Sequence, residues 1–328
     1  MENKAIQPFH VYLTEHNKKS VLTKIEKIIE TGSFVLGRYT DKLERVISDD
    51  VGVLGAKVVS SGTVALEAVF EFLASKGKKT VGVQSNTNFA TVSSILRAGL
   101  EAVFIDCDLD GQISYDDMVK KYEQFKFDAL AIVHIGGYIS KDLVGIFDFI
   151  DKENIFCVED CAHAHGSKRG GLSAGSFGHA AILSFFPTKL VNGSEGGAVC
   201  SDDEELIDFV HKWRNQGKDG AFGNWHTVLG GSYRMPEINC VLALEYYEVL
   251  KTEIFTRENT FKSIASKVSG VHLTLPIEGD VSSFYKMICR IDGVNGVVVE
   301  QLLRDRGINC GGAVYRTPCD KQPAFSNV

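Results

Sequence analysis

The run Ile155-Phe156-Cys157-Val158-Glu159-Asp160 is a short apolar stretch that ends in two carboxylates. Such a run is typical of a strand that is buried on both faces of a sheet. Similar runs alternate with helical patterns from residue 57 onward. Short apolar strands between helices predict an α/β fold, with a mostly parallel central sheet that is covered by helices on both faces.

The pattern predicts specific elements along the chain. Before the sheet, an apolar stripe predicts a first helix that ends at Thr31-Gly32; its members are Val21, Ile25, Ile28 and Ile29. A second helix is predicted over 39–47, with Thr40 or Asp41 as its cap. Predicted strands are 57–60, 80–83, 102–106, 129–134, 155–160, 180–184 and 197–201. Predicted helices are 63–76, 90–98, 143–152, 203–214 and 237–252.

The rhythm changes after residue 252. A strand over 284–291 and a helix over 296–306 predict a small α+β unit. We therefore expect a large domain over 1–252 and a small C-terminal domain over 253–328.

Composition limits the possible partners. The chain has 328 residues, 44% of them hydrophobic and 23% charged, and a net charge of −7. An acidic balance disfavours nucleic acid as a partner. The N-terminus lacks the apolar segment of a signal peptide, and no apolar run is long enough to span a membrane, so we expect a cytoplasmic protein that does not bind membranes.

The cysteines raise the question of a metal. All 8 are scattered, which predicts reduced thiols in a chain without an export signal. Cys157, Cys161, His163 and His165 lie close enough in sequence to suggest zinc. Cys157 falls inside the predicted strand, however, and the spacing is not that of a zinc finger, so the metal-free interpretation is favoured.

A lysine follows in Ser184-Phe185-Phe186-Pro187-Thr188-Lys189. A lysine amine forms a Schiff base with a carbonyl. An acid at the end of a parallel strand lies where open α/β sheets bind their ligands. Lys189 together with Asp160 therefore suggests chemistry with pyridoxal 5′-phosphate (PLP), in which the acid keeps the pyridine nitrogen protonated. Taken singly, Lys189 could be an exposed loop lysine and Asp160 a helix cap.

Ser61-Gly62-Thr63 lies between a predicted strand and a predicted helix. Backbone N–H groups at a helix start form a phosphate site, and a hydroxyl adds a donor. The alternative is a simple N-cap by Thr63. Ser184 likewise could donate to a phosphate or to the backbone.

These segments, in this order, resemble the DegT/StrS family of PLP-dependent nucleotide-sugar aminotransferases, which have an aspartate aminotransferase-like fold. The resemblance extends from about residue 6 to the end of the chain. It is carried by the following segments: Ser61-Gly62-Thr63, Glu159-Asp160-Cys161-Ala162-His163-Ala164-His165-Gly166, Ser184 to Lys189 with Gly196-Gly197, Arg214-Asn215-Gln216-Gly217, Ser232-Tyr233-Arg234-Met235 and Gln322-Pro323-Ala324-Phe325.

The resemblance implies roles for individual residues. Lys189 would hold PLP and move the proton, Asp160 would pair with the pyridinium nitrogen, and His163 would contact the ring hydroxyl, where glutamine is also common. Gly62, Thr63 and Ser184 would bind the phosphate. A homodimer is implied, in which the segments 33–38 and 230–235 approach the site of the neighbouring subunit.

Three positions depart from the family pattern. Asn88 stands where an aromatic residue often stacks on the PLP ring, so either Asn88 covers the ring or Phe89 does so with a shifted backbone. Ser232 replaces an asparagine that reaches the phosphate of the partner subunit. The chain also ends soon after Phe325, so we expect a truncated protein or a partial sequence.

The function implied is a ping-pong aminotransferase that passes an amino group from an amino acid, by analogy L-glutamate, to a keto sugar carried by a nucleotide. Arg234, Arg316 and Lys218 are candidates for binding the donor carboxylate or the diphosphate. A sugar dehydratase of the same family is disfavoured, because such members replace the lysine with histidine. A catalytically inactive protein of this fold, with a regulatory or structural role, is the remaining alternative.

Overall fold

Helices and strands alternate through most of the chain. The computed structural model describes residues 5–9, 13–220, 224–310 and 315–328. The helices are α1 (Glu15–Thr31), α2 (Arg38–Val51), α3 (Gly62–Ser75), α4 (Phe89–Arg97), α5 (Tyr115–Phe125), α6 (Leu143–Glu153), α7 (Glu204–Trp213), α8 (Glu237–Ala265) and α9 (Gly296–Arg304). The strands are β1 (Gly55–Val59), β2 (Thr80–Gln84), β3 (Glu101–Ile105), β4 (Ala129–Val133), β5 (Phe156–Asp160), β6 (Lys168–Arg169), β7 (Leu172–Ser173), β8 (Ala180–Ser184), β9 (Gly197–Ser201), β10 (His272–Leu273) and β11 (Cys289–Arg290).

Seven strands form the central sheet, in the order β1-β9-β8-β5-β4-β2-β3. The five strands from β8 to β3 in that order run parallel, and β9 is antiparallel to both of its neighbours. Every residue of β4, β8 and β9 is buried, as expected of strands with helices on both faces. The predicted α/β fold with a mostly parallel sheet is confirmed.

Strand β8 illustrates how the two faces of the sheet are covered. Ala181 and Leu183 pack in a core with residues of α2 and α8, whereas Ala180 and Ile182 pack with α3. Successive side chains of a strand point to opposite faces, so one strand serves both cores. Within the described ranges, every helix is too short or too polar to cross a lipid bilayer.

The first two helices correct two details of the prediction. Val21 and Ile28 of α1 are buried and Gly32 ends the helix in the left-handed conformation, as predicted, but Ile29 is 62% exposed. Neither Thr40 nor Asp41 caps α2, which begins after Gly37. The carboxylate of Glu237 instead accepts hydrogen bonds from the N–H groups at the start of α2. A capping group so distant in sequence leaves no local signal.

The C-terminal part differs more from expectation. Helix α9 is confirmed, but the predicted strand over 284–291 is reduced to β11, which pairs with β10. Phe284 has a φ of 47°, which interrupts an extended chain. Helix α8 continues through residue 252, and Cys319 and Phe325 are buried against the core beside α3 and α4. The division into domains at residue 252 stays a prediction.

Candidate active site

A cavity of about 270 Å³ lies at the carboxyl ends of β5 and β8, beside the start of α3. This edge is where open α/β sheets bind ligands. The structure brings seven of the eight predicted site residues together in its lining: Gly62, Thr63, Asn88, Asp160, His163, Ser184 and Lys189. Ser232 does not line the cavity of its own chain.

Asp160 is the last residue of β5, and it is only 4% exposed. Its carboxylate accepts hydrogen bonds from the Thr91 hydroxyl at 3.0 Å and from the Ala162 N–H at 3.1 Å. Burial raises the pKa of the Asp160 carboxyl, and the Ala162 N–H, the Lys189 ammonium and the Thr91 hydroxyl oppose that rise. The carboxylate is therefore fixed in direction and is best stabilised by a cationic partner in the cavity.

Lys189 lies in a turn after β8, where its N–H donates to the Phe186 carbonyl at 2.8 Å. Its Nζ lies 4.8 Å from the ring centroid of Tyr285. Burial lowers the pKa of Lys189 to about 8, although Asp160 opposes this change. A lysine with a lowered pKa offers more neutral amine for attack on a carbonyl.

His163 is stacked on Tyr285, with ring centroids 4.3 Å apart. Its Nδ1 accepts the Gly136 N–H at 3.3 Å, which leaves the ring proton on Nε2. Burial and the charges of Lys189 and Lys286 hold the pKa of His163 well below its ordinary value. His163 is therefore a neutral hydrogen-bond donor at the cavity.

The start of α3 has the features of an anion site. Ser61 is the N-cap, not Thr63, and its hydroxyl accepts the Val64 N–H at 3.2 Å. A Cβ on Gly62 would lie 2.8 Å from the Cβ of Ser184, so a larger residue there would force Ser184 to move. The Gly62 and Thr63 N–H groups at this helix start thus lie next to the Ser184 side chain, an arrangement suited to phosphate.

The two residues considered for covering a cofactor ring have different environments. Asn88 lines the cavity and caps α4, its side-chain oxygen accepting the Ala90 N–H at 2.9 Å. Phe89 instead stacks on Phe325, with centroids 4.8 Å apart, and does not line the cavity. Of these two residues, only Asn88 lines the cavity, and which side chain would cover a cofactor ring stays a prediction.

Sequence reasoning missed Tyr315, Tyr285 and Lys286. Tyr315 lines the cavity, and Tyr285 forms the surface on which His163 stacks. The Nζ of Lys286 lies 5.4 Å from the Tyr285 ring centroid, and burial lowers the pKa of Lys286. No local pattern marks these residues, because the C-terminal part of the chain brings them to the site.

The cations proposed from the sequence lie elsewhere. Arg234 donates to the side chains of Asn215 and Ser232, and Arg316 pairs with Glu300. Lys218 forms a β-bridge with His226. None of these three cations is among the residues that line the cavity.

The cysteine and histidine cluster does not converge. Cys157 and Cys161 belong to different cores. Among the described residues, the one group with ligand atoms within 4.8 Å of one another is His134, Glu159 and Cys161. Glu159 already accepts hydrogen bonds from three backbone N–H groups and contacts His134 at 2.8 Å, so a buried hydrogen-bond network accounts for the cluster.

Residues 15–328 match the model of the DegT/DnrJ/EryC1/StrS aminotransferase family. The chain is 29% identical over 245 residues to a GDP-perosamine synthase of Vibrio cholerae, in an alignment that covers 74% of this chain and 66% of that protein. It is 34% identical over 213 residues to a GDP-perosamine synthase of Escherichia coli O157:H7, covering 65% of this chain and 58% of that protein. The aligned part is thus less than two thirds of the length of either relative.

A solved structure has the same fold. Helicobacter pylori PseC, an aminotransferase involved in the biosynthesis of pseudoaminic acid, superposes with a TM-score of 0.86 at 21% identity. The superposition covers 99% of this chain and 88% of that one.

Proposed function

This chain belongs to the DegT/DnrJ/EryC1/StrS aminotransferase family, and from that membership we propose that it is a PLP-dependent aminotransferase acting on a nucleotide-linked keto sugar. The observation that carries the proposal is the convergence of Lys189 and Asp160 in one cavity beside the start of α3. A reactive amine, a buried acid and an anion site are the three groups that PLP requires of a protein.

The residues present fit this cofactor. Asp160 would face the pyridinium nitrogen, which supplies the cation that a buried carboxylate needs. The Gly62 and Thr63 N–H groups at the helix start, next to the Ser184 side chain, would hold the phosphate. The neutral His163 would donate its Nε2 proton to the ring oxygen. When bound, PLP supplies the electron sink for the reaction.

Lys189 has two tasks in this proposal. Its Nζ would bind the cofactor covalently, and once displaced by the substrate amine it would carry a proton to and from the substrate carbon. A pKa of about 8 suits both tasks, since general acid–base catalysis is most effective when the pKa is near the working pH.

The substrates are inferred from the relatives. The GDP-perosamine synthases and a dTDP-amino-sugar transaminase among the relatives support a nucleotide-linked sugar as the acceptor. L-Glutamate is proposed as the amino donor. Lys286, whose charge lowers the pKa of both Lys189 and His163, is proposed as a group for binding an anionic substrate.

Two further properties belong to this proposal. A homodimer is supported by exposed apolar residues of the segment 33–38, which would approach the neighbouring site, namely Phe34 and Val35. A cytoplasmic location is supported by the substrate class, and there the eight free cysteines would stay reduced.

The test uses L-glutamate labelled with nitrogen-15 and a panel of nucleotide-linked keto sugars. Purified protein with PLP should release 2-oxoglutarate and transfer the label to one of the sugars, as measured by mass spectrometry. Lys189→Ala should abolish both products, whereas Lys42→Ala, which removes an exposed lysine of α2, should leave them unchanged. Failure to release 2-oxoglutarate, or equal release by Lys189→Ala, would contradict the proposal and favour an inactive protein of this fold.

A further inference from the structure

The C-terminal residues are fixed onto the loop that precedes α4. The N–H of Cys319 donates to the Ser85 carbonyl at 2.9 Å, and its thiol contacts the Thr87 carbonyl at 3.3 Å. Phe325 is 3% exposed and stacks on Phe89. This segment is therefore held by both backbone and side-chain contacts, and its first residue, Tyr315, is part of the wall around the cavity.

Tyr315 begins this segment and lines the same cavity as Asp160 and Lys189. Its side chain hydrogen-bonds with that of Asn88, and the charge of Asp160 adds to burial in raising the pKa of Tyr315. The φ of Tyr315 is 59°, in the left-handed region that a bulky residue rarely adopts. Such a conformation persists only where the surrounding structure holds it.

The other side chains near this wall are poorly suited to cover an aromatic ring. Asn88 is small, and its side-chain oxygen is engaged in capping α4. Phe89 is committed to Phe325. Phe186 lines the cavity but is 46% exposed.

We propose that Tyr315 is a cofactor-contacting residue whose ring covers the pyridine ring of PLP, held in place by Asn88 and by the segment 315–325. This inference rests on the proposed function, because it requires that PLP occupy the cavity. The C-terminal segment thereby supplies the aromatic surface that the residues around Asn88 do not. An aromatic contact of this kind contributes roughly a tenfold change in affinity.

The test measures the affinity for PLP alone, without substrates, from the absorbance and the induced circular dichroism of the bound cofactor. Tyr315→Leu should weaken the affinity roughly tenfold and reduce the dichroism. Tyr315→Phe, which keeps the ring, should remain within about twofold of the wild type. The thermal transition of the cofactor-free variants is measured in parallel, and it should not change.

Asn88→Ser provides a second test, because serine keeps the cap of α4 but loses the contact with Tyr315. Because it loses the same hydrogen bond as Tyr315→Phe, it should weaken PLP binding in the wild type by no more than about twofold and have a smaller effect in the Tyr315→Phe background.

Wild-type affinity in Tyr315→Leu, with Lys189→Ala still defective, would overturn the role of Tyr315 and leave the proposed function standing. Absence of PLP binding by the wild type would overturn both. The inference would also be overturned if Tyr315→Leu lowers both the affinity for PLP and the temperature of the thermal transition of the cofactor-free protein, since Tyr315 would then act on folding.

Discussion

The ionisation of Lys189 gives the sharpest prediction. The pKa of this lysine is lowered from 10.5 to about 8, with burial as the main cause. At pH 7 an amine with a pKa of about 8 is roughly 9% neutral, whereas one with a pKa of 10.5 is about 0.03% neutral. The structure therefore predicts about 300-fold more neutral amine at Lys189 than at an ordinary lysine.

The signs of two substitutions follow from the neighbours of Lys189. Asp160 raises the pKa of Lys189, so Asp160→Asn should move it further down. Lys286 lowers the pKa of Lys189, so Lys286→Met should move it up. General loosening of the site would move the pKa of Lys189 in the same direction in both variants. Shifts of this pKa in opposite directions therefore indicate an electrostatic effect.

The assay is pulsed acetylation of the cofactor-free protein at a series of pH values, resolved by peptide mass spectrometry, with a short lysine peptide as the reference. The midpoint of the pH profile is compared rather than the rate, because burial also slows the reagent. A Lys189 profile that coincides with that of the reference peptide would refute the reasoning. So would shifts of the same sign in the two variants.

Three further predictions concern the fold and the cofactor. Glu237→Ala should lower the free energy of unfolding by at least about 3 kcal/mol in denaturant titrations, because it leaves the N–H groups at the start of α2 buried without an acceptor. A decrease below about 1 kcal/mol would contradict this prediction. Gly62→Ala should fold but bind PLP at least about tenfold more weakly in absorbance titrations, because the new Cβ would collide with Ser184. Unchanged affinity would show that the phosphate of PLP binds elsewhere. His163→Gln should keep most of the transaminase rate and His163→Leu should not, because glutamine retains a hydrogen-bond donor. Equal rates for the two variants would argue against a hydrogen bond from His163 to the cofactor.

Much of the fold could be predicted because burial leaves a clear pattern. The bounds of β8 and β9 agree with the sequence prediction residue for residue, since every position in them is buried and apolar or small. Helix α5 was not predicted, because only Met118 of its residues is buried and the apolar pattern is correspondingly weak.

The site was predictable where the local sequence determines it. Asp160 ends β5, Gly62 begins α3, and Lys189 lies in the turn after β8, so all three are next to elements that the pattern identifies. Tyr315 and Lys286 reach the site through long-range packing of the C-terminal part, which no local spacing encodes. The prediction of a strand over 284–291 was wrong for the same reason, because the backbone turns at Phe284 and the ring of Tyr285 packs against His163.

The central claim is that Lys189 is the residue that binds PLP. The most direct test is to incubate the protein with PLP, reduce it with borohydride, digest it and locate the modified lysine by mass spectrometry. The structure predicts one phosphopyridoxyl group per chain, on the peptide that contains Lys189, and none in Lys189→Ala. Modification spread over surface lysines, or found equally in the variant, would contradict the assignment of this cavity as a PLP site.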